Sequence, residues 1–425
     1  MIKNKKHIKS RLIIKQIPAF FLAFVILLLN SLHLYSQGGS NYSIFGIGDI
    51  ETSPGAAYES LAGTSIAFPT EHSINSLNPA IWSKLPKTRL MTGYKFNQHL
   101  VQDEKENILF QNNGKISTLS SVFVIDTGMG IAVSLGINPY SGVNYLIESP
   151  VSVSFEGIEV TGNSLYQGLG GLSMGYLGAS VNVFKNLSVG ASAFTTFGII
   201  KSLITTSFND DNFFQVSTIT ENKFNGYGMR FGLLYEPING LNIGLFSEQH
   251  FKLQYEQNQI FESSFTSDTV TVKSINVALP NAYGIGLSYL LGKFRIGADI
   301  KSYQFENLDY NPGPYTKYSN LMIYSIGFSR LGNKSTGADY IDKITYNLGL
   351  GYKQLYYQVK GNQIADMFFS VGANIPIVGT SIIDASITFG NRKMVNDFLV
   401  NEFYGRLSVD ISIGETWFKP IRREY

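Results

Sequence analysis

The sequence predicts an all-β membrane protein: an antiparallel transmembrane β-barrel of about 14 strands with an N-terminal hatch inside its lumen. Three observations carry this expectation. A basic and then apolar leader marks export. The remaining chain is rich in Gly (42), Phe (30) and Tyr (25), yet only 15% of residues are charged. Segment after segment then alternates apolar with polar residues at period two, the pattern of a strand with two unlike faces.

The leader comes first. Lys3, Lys5, Lys6, Lys9, Arg11 and Lys15 precede an apolar run from Ile17 to Leu29, which gives way to Tyr35-Ser36-Gln37-Gly38-Gly39-Ser40. That order is the pattern of a secretory signal peptide. The run is shorter than the ~20 residues a spanning helix needs, so residues 1–36 read as a cleaved signal peptide. Cleavage is expected after Ser36 or Gln37. Six of the 33 Lys+Arg and none of the 31 Asp+Glu fall in the leader, which leaves 27 basic against 31 acidic residues, a net charge of −4. No basic face for nucleic acid is implied. The absence of cysteine excludes a lipid-modified N-terminus, a disulfide scaffold, a thiolate metal site and a Cys nucleophile. A soluble chain averages ~25% charged residues; the lower value here suits a wall that faces lipid.

The last strand shows the alternation most clearly. Phe403, Gly405, Leu407, Val409, Ile411 and Ile413 take one face, and Tyr404, Arg406, Ser408, Asp410, Ser412 and Gly414 the other. Strands are expected near 88–99, 116–126, 129–138, 170–184, 187–203, 216–236, 241–256, 270–291, 293–306, 316–330, 342–357, 366–375, 381–392 and 401–418. Their connections alternate. Tight turns fall at Asp126-Thr127-Gly128, Lys185-Asn186, Pro237-Ile238-Asn239-Gly240 and Gly292, and longer loops are expected at 100–115, 139–169, 204–215, 257–269 and 307–315. Short turns on one rim and long loops on the other mark an outer-membrane barrel, as does an even strand count. The barrel is therefore placed at 87–418, with both ends on the periplasmic side and a charged tail, 419–425, emerging there. Tyr140, Tyr235, Tyr255, Tyr303, Tyr356, Tyr357, Trp417 and Phe418 lie near strand ends and read as interfacial girdles.

Residues 37–86 do not alternate. They hold Gly46, Gly48, Gly55, Ala62, Gly63 and Ala67 among the apolar Phe45, Leu61, Ile66, Leu77, Ile81 and Trp82. That is enough apolar mass to pack, and the economical place is the wide lumen of the barrel, as a hatch. The stretch Ser60-Leu61-Ala62-Gly63-Thr64-Ser65-Ile66-Ala67, followed by Ser73-Ile74-Asn75-Ser76-Leu77 and Asn78-Pro79-Ala80, resembles the hatch of the long-chain fatty acid transporter family, FadL/TodX. Leu279-Pro280-Asn281-Ala282-Tyr283-Gly284-Ile285-Gly286-Leu287 and Ile296-Gly297-Ala298-Asp299 resemble that family's Leu-Pro strand and the Ala-Asp strand after it. The opening Tyr42 to Asp49, the Asn138-Pro139-Tyr140-Ser141 corner and the closing Glu415-Thr416-Trp417-Phe418 are similar to the version found in Bacteroidota. Leu61-Ala62-Gly63-Thr64 departs from the more usual Met-Gly-Gly-Ala. Only the Asn78, Pro79 and Ala80 motif is carried over.

No catalytic or metal constellation is expected, and no cofactor. Gly171-Leu172-Ser173-Met174-Gly175 satisfies G-x-S-x-G, but it sits in a strand pattern rather than the strand–turn–helix that a nucleophile elbow needs. His72, His99 and His250 are scattered and form no metal-ligand spacing. The informative charges are those on the polar parity of their strands: Lys95, Arg230, Arg295, Asp299, Lys301, Lys353, Asp384, Arg406 and Asp410. They are expected to face the lumen, since an Arg or Lys facing lipid at mid-depth costs ~2–4 kcal/mol. Their role there is to hold the hatch by salt bridges or to guide an anionic headgroup. On the same parity, Ser408→Arg should be milder than Val409→Arg.

The expected function is passive uptake of a hydrophobic or amphipathic, fatty-acid-like molecule across the cell outer membrane, which the family resemblance implies. The alternative is a non-transporting, PorV-like subunit of an outer-membrane protein assembly. Outer-membrane lipid, a hydrophobic ligand and outer-membrane protein partners are the associations these readings imply.

Overall fold

The computed structural model describes residues 38–417, apart from 103–107, 156, 211, 264, 312, 314 and 395–400. The leader and the tail lie outside the described residues. A two-residue strand β1 (Asp49–Ile50) and a single-turn helix α1 (Ala56–Glu59) come first, with a 3₁₀ turn over Pro79–Lys84. The strands that follow are β2 (Thr88–Gln102), β3 (Ile108–Asp126), β4 (Ile131–Pro139), β5 (Ser141–Phe155), β6 (Ile158–Phe184), β7 (Leu187–Phe208), β8 (Val216–Ile238), β9 (Leu241–Ser263), β10 (Ser267–Asn276), β11 (Ala282–Leu291), β12 (Phe294–Tyr303), β13 (Thr316–Tyr318), β14 (Leu321–Arg330), β15 (Thr345–Val359), β16 (Asn362–Pro376), β17 (Ile382–Met394) and β18 (Asn401–Glu415). A second short helix, α2 (Tyr340–Lys343), lies between β14 and β15.

Every ladder is antiparallel. β4 and β5 both pair with β6, β10 and β11 with β9, and β13 and β14 with β15. Each of these couples is one wall strand broken in two, so the wall has 14 strands. β18 closes it against β2, from Asn401↔Gln102 to Glu415↔Thr88. Closure leaves no strand edge to be satisfied by lipid, which offers no hydrogen bonds.

One face of the wall is apolar and exposed: Leu177, Phe231, Ile285, Ile296, Ile326, Leu350, Phe389 and Ile413 point outward. On β18 the even parity turns inward, with Ser408, Asp410 and Ser412 fully buried. What buries them is the segment 38–86. Ile47, Tyr58, Leu61, Ile66, Phe68, Ile74, Ile81 and Trp82 in that segment have no more than 2% of their surface exposed. Its hydrogen bonds end on inward-facing wall residues.

Two expectations are corrected. The loops at 100–115, 139–169 and 257–269 are largely strand, and β7 extends into 204–215 as far as Phe208: β6 has 27 residues and β7, β8 and β9 have 22, 23 and 23. About 9–11 residues suffice to cross a bilayer, so these strands rise well beyond it, where both faces can be polar and period-two alternation fades. Gln254-Tyr255-Glu256-Gln257-Asn258-Gln259 in β9 is such a stretch. The aromatic girdle also dissolves. Tyr235 and Trp417 are exposed, but Tyr140, Tyr255, Tyr303, Tyr356 and Tyr357 are buried on the inner side. The Tyr356 hydroxyl donates to the carbonyls of Phe45 and Gly48 at 2.8 Å each, and Tyr357 to Tyr42 at 3.0 Å. Phe418 lies outside the described residues.

Candidate functional site

Among the described residues the wall ladder is interrupted in two places, between β10 and β13 and between β3 and β5. β3 pairs with β4 from Leu119↔Ile137 to Asp126↔Ile131, and its upper half pairs only with β2. Above the Pro139-Tyr140-Ser141 corner, β5 pairs with β6 and with β1 (Asp49↔Gly142, Ile50↔Ser141). Among the described residues no ladder joins β3 to β5, so a seam opens between neighbouring wall strands. The corner follows from local chemistry. Pro139 has no N–H to continue a ladder, while Tyr140 N–H bonds Leu172 O at 2.8 Å and Tyr140 O accepts from Glu51 N–H at 2.9 Å. Opposite the corner, β6 bends at Gly170 and Gly171, whose φ of +109° and +144° suit glycine.

Side chains and the N-terminal segment partly bridge the seam. Gln111 Nε2 donates to Leu146 O at 2.9 Å, and Asn144 N–H donates to Ser43 Oγ at 2.9 Å. Gly48 lets β1 lie against Gly142: a Cβ there would overlap the Gly142 carbonyl.

Behind the seam lies a cavity of about 240 Å³ between segment 38–63 and the wall. Its carboxylates are paired, and its cations are paired or hydrogen-bonded. Glu51 bridges Lys115 and Lys95, and Lys95 also meets Glu59. Burial opposes ionisation of Glu51, but Lys115 and Lys95 outweigh it and hold the carboxyl well below its ordinary value. Arg392 contacts Asp49 at 2.8 Å and Asp366 at 3.2 Å. Lys353 Nζ donates to Ile50 O at 3.2 Å, and Arg406 Nε to Asn97 Oδ1 at 2.8 Å.

The other expected lumen charges also turn inward, onto the N-terminal segment. Asp410 accepts from Ala56 N–H at 2.6 Å, and Asp299 from Ser65 and Ile66 N–H at 2.6 and 2.9 Å. Asp384 accepts from Ser73 Oγ and lies 3.1 Å from His72 Nε2. Lys301 donates to the carbonyls of Gly63 and Thr52, Arg295 to Pro69 O, and Arg230 to Ser76 O and Glu248. Asn78 caps the Pro79–Lys84 turn by accepting from Ala80 N–H at 3.1 Å, and its amide donates to Ile66 O and Leu233 O. Gly190, Gly232, Gly244, Gly286, Gly327 and Gly349 lie beneath these contacts; a Cβ on any of them would press into residues 61–80. Sequence reading missed Glu248, Asp366, Arg392, Glu402 and this row of inward glycines. Parity in β17 was the available signal for Arg392, since it shares a face with Asp384. Gly171–Gly175 runs inside β6, and Ser173 pairs with Pro139 and Phe197, so no elbow exists there.

The model of the BamG family matches residues 13–424. The chain belongs to the BamG family. No curated protein matches it in sequence. Among solved structures, this BamG-family chain resembles a Pseudomonas aeruginosa FadL homologue (12% identity, TM-score 0.57, 86% of this chain and 99% of that one). It also resembles the Ralstonia pickettii toluene transporter TbuX (14%, 0.57, 85% and 98%) and the CymD monoaromatic hydrocarbon channel (14%, 0.56, 87% and 99%). At such identity the likeness is one of fold: an outer-membrane β-barrel of the FadL/TodX type.

Proposed function

We propose that this barrel is a passive outer-membrane channel for hydrophobic or amphipathic small molecules, with its outlet at the seam between β3 and β5. One observation carries the reading: the wall loses its ladder beside a cavity that the N-terminal segment helps to line. A molecule entering from the long-strand side would leave sideways into the membrane rather than along the axis. In this reading the mature chain, its signal peptide removed, uses residues 38–86 as a hatch, the lumen charges hold that hatch, and no residue acts as a catalyst. The hydrocarbon and toluene channels that share the fold support the substrate class, which includes fatty-acid-like molecules.

The test joins β3 to β5. The chain has no cysteine, so Gln111→Cys with Leu146→Cys can be linked by a reducible bis-maleimide in proteoliposomes. Uptake of labelled toluene or laurate should fall on linking and return on reduction; unchanged uptake overturns the lateral outlet. Deleting residues 38–86 should leave a barrel that assembles and leaks small polar solutes.

A second reading, a non-transporting subunit of an outer-membrane protein assembly, is favoured by the tall β6–β9 wall. It carries exposed Phe214 and Phe265 in edge-to-face contact, with centroids 4.7 Å apart, above the membrane-crossing length. Co-purification of stoichiometric outer-membrane proteins with no uptake in liposomes would select it.

A further inference from the structure

We infer that the seam cavity holds the uncharged, hydroxyl-bearing headgroup of a membrane amphipath, whose apolar tail lies outside the wall. This rests on the seam described above, not on whether the molecule is carried onward.

The cavity is lined by residues on both sides of the seam, Asn113, Gly114 and Lys115 of β3 and Gly142, Val143 and Asn144 of β5, and it reaches Leu169 on β6. Leu169 is 45% exposed on the outer face, as are Phe110 and Ile116 of β3. A molecule in the opening would therefore meet apolar surface outside and polar surface inside. That arrangement suits an amphipath lying across the wall, and a pure hydrocarbon would leave the inner polar groups dry and unpaired.

The charges decide which head fits. Four carboxylates line the cavity, Asp49, Glu51, Glu59 and Asp366, against four cations, Lys115, Lys353, Arg392 and Arg406. Glu51 is paired with Lys115, and Arg392 with Asp49 and Asp366. Lys353 and Arg406 are hydrogen-bonded to Ile50 O and Asn97. An anionic head that took Lys115 or Arg392 from its partner would leave a buried carboxylate uncompensated, a cost of several kcal/mol, and one that took Lys353 or Arg406 would break its hydrogen bond to Ile50 O or Asn97. A neutral head disturbs no pair. Asn144 Oδ1 is buried and has no hydrogen-bond partner, so it asks for a donor. Asn97, Asn113, Ser370 and Thr388 add amides and hydroxyls that both donate and accept. A hydroxyl group, donor and acceptor at once, answers this lining better than a carboxylate, which only accepts.

The test uses the mature full-length protein in nanodiscs, exposed in turn to glycerol monolaurate, laurate and dodecane, three molecules of similar tail length. Native mass spectrometry after release should show one glycerol monolaurate per chain, with laurate and dodecane at least tenfold less retained. Asn144→Leu should cut monolaurate retention at least tenfold while the barrel still shifts on heating in gels. Asn144→Ser, which keeps a polar oxygen, should retain more than Asn144→Leu. Laurate held as well as monolaurate, dodecane held in preference, or a site that holds none of the three would each overturn the assignment. Failure here is separable from failure of the transport reading. Monolaurate bound without uptake into liposomes leaves the site and removes the channel; toluene uptake without monolaurate binding does the reverse.

Discussion

Asp410 of the closing strand accepts the backbone N–H of Ala56 at 2.6 Å, joining residues 354 apart in sequence. Its other oxygen accepts from Ser117 Oγ at 2.9 Å. A wall carboxylate thus holds the first turn of α1, Asp299 of β12 does the same for the backbone of Ser65 and Ile66, and Asp384, cross-strand from Asp410, holds the side chains of His72 and Ser73.

Asp410→Leu removes that acceptor and leaves Ala56 N–H buried and unpaired. Hydrogen bonds to a charged group contribute about 1.5–3 kcal/mol. The barrel should still assemble and shift on heating, while liposome swelling shows a leak to small sugars that the parent lacks. A tight variant would mean that Asp410 does not anchor the segment.

Gly232→Ala tests the close seat of Asn78 and Pro79, because the added methyl overlaps Asn78 Oδ1 and the Pro79 ring. Overpacking of this kind costs ~1–3 kcal/mol. Limited proteolysis should cut within residues 38–86 faster than in the parent. Gly337→Ala, where a methyl meets nothing within 4 Å, should leave the cleavage rate unchanged.

Val409→Arg places a cation toward lipid and should lower barrel stability by ~2–4 kcal/mol, read from urea unfolding in detergent-free bilayers. Sequence reasoning expected Ser408→Arg to be the milder change. Ser408 is instead fully buried with its hydroxyl on Glu59, so Arg there should displace the N-terminal segment while the barrel folds. The two variants should separate by assay: one fails in assembly, the other in solute retention. Failure of both in assembly would contradict the buried contact at Ser408.

The Glu51 bridge has a defined pH window. Its carboxyl is held well below its ordinary 4.5 in the folded chain, so its contribution is fully present above that ordinary value and is lost as pH falls through the lowered folded value. A fluorophore at Asn144→Cys should report an unchanged seam from pH 7 to 5 and a change only in stronger acid. Glu51→Gln should remove that acid transition; if it persists, another group governs it.

How far the sequence determined this protein can be judged residue by residue. Alternation at period two is a local property of a chain with lipid on one side and polar contents on the other. It therefore placed Phe403 to Gly414, Ile131 to Asn138 and Phe294 to Lys301 in strands, set their parity, and yielded a 14-strand closed wall. It also turned Lys95, Asp299, Lys301 and Asp410 inward, because a charge on those strands has only one affordable face. Where the strands leave the membrane that asymmetry ends, and the upper parts of β5 and β6 carry no alternation that marks them as strand. The partners of the inward charges were beyond reach of any local pattern. Asp410 with Ala56, Arg392 with Asp49, and Glu51 with Lys115 are brought together only by barrel closure around residues 38–86. The seam was equally invisible, since a missing ladder between β3 and β5 is a relation between two strands. Pro139 marks the corner in the sequence, but which neighbour loses its hydrogen bonds there is decided by the tertiary structure.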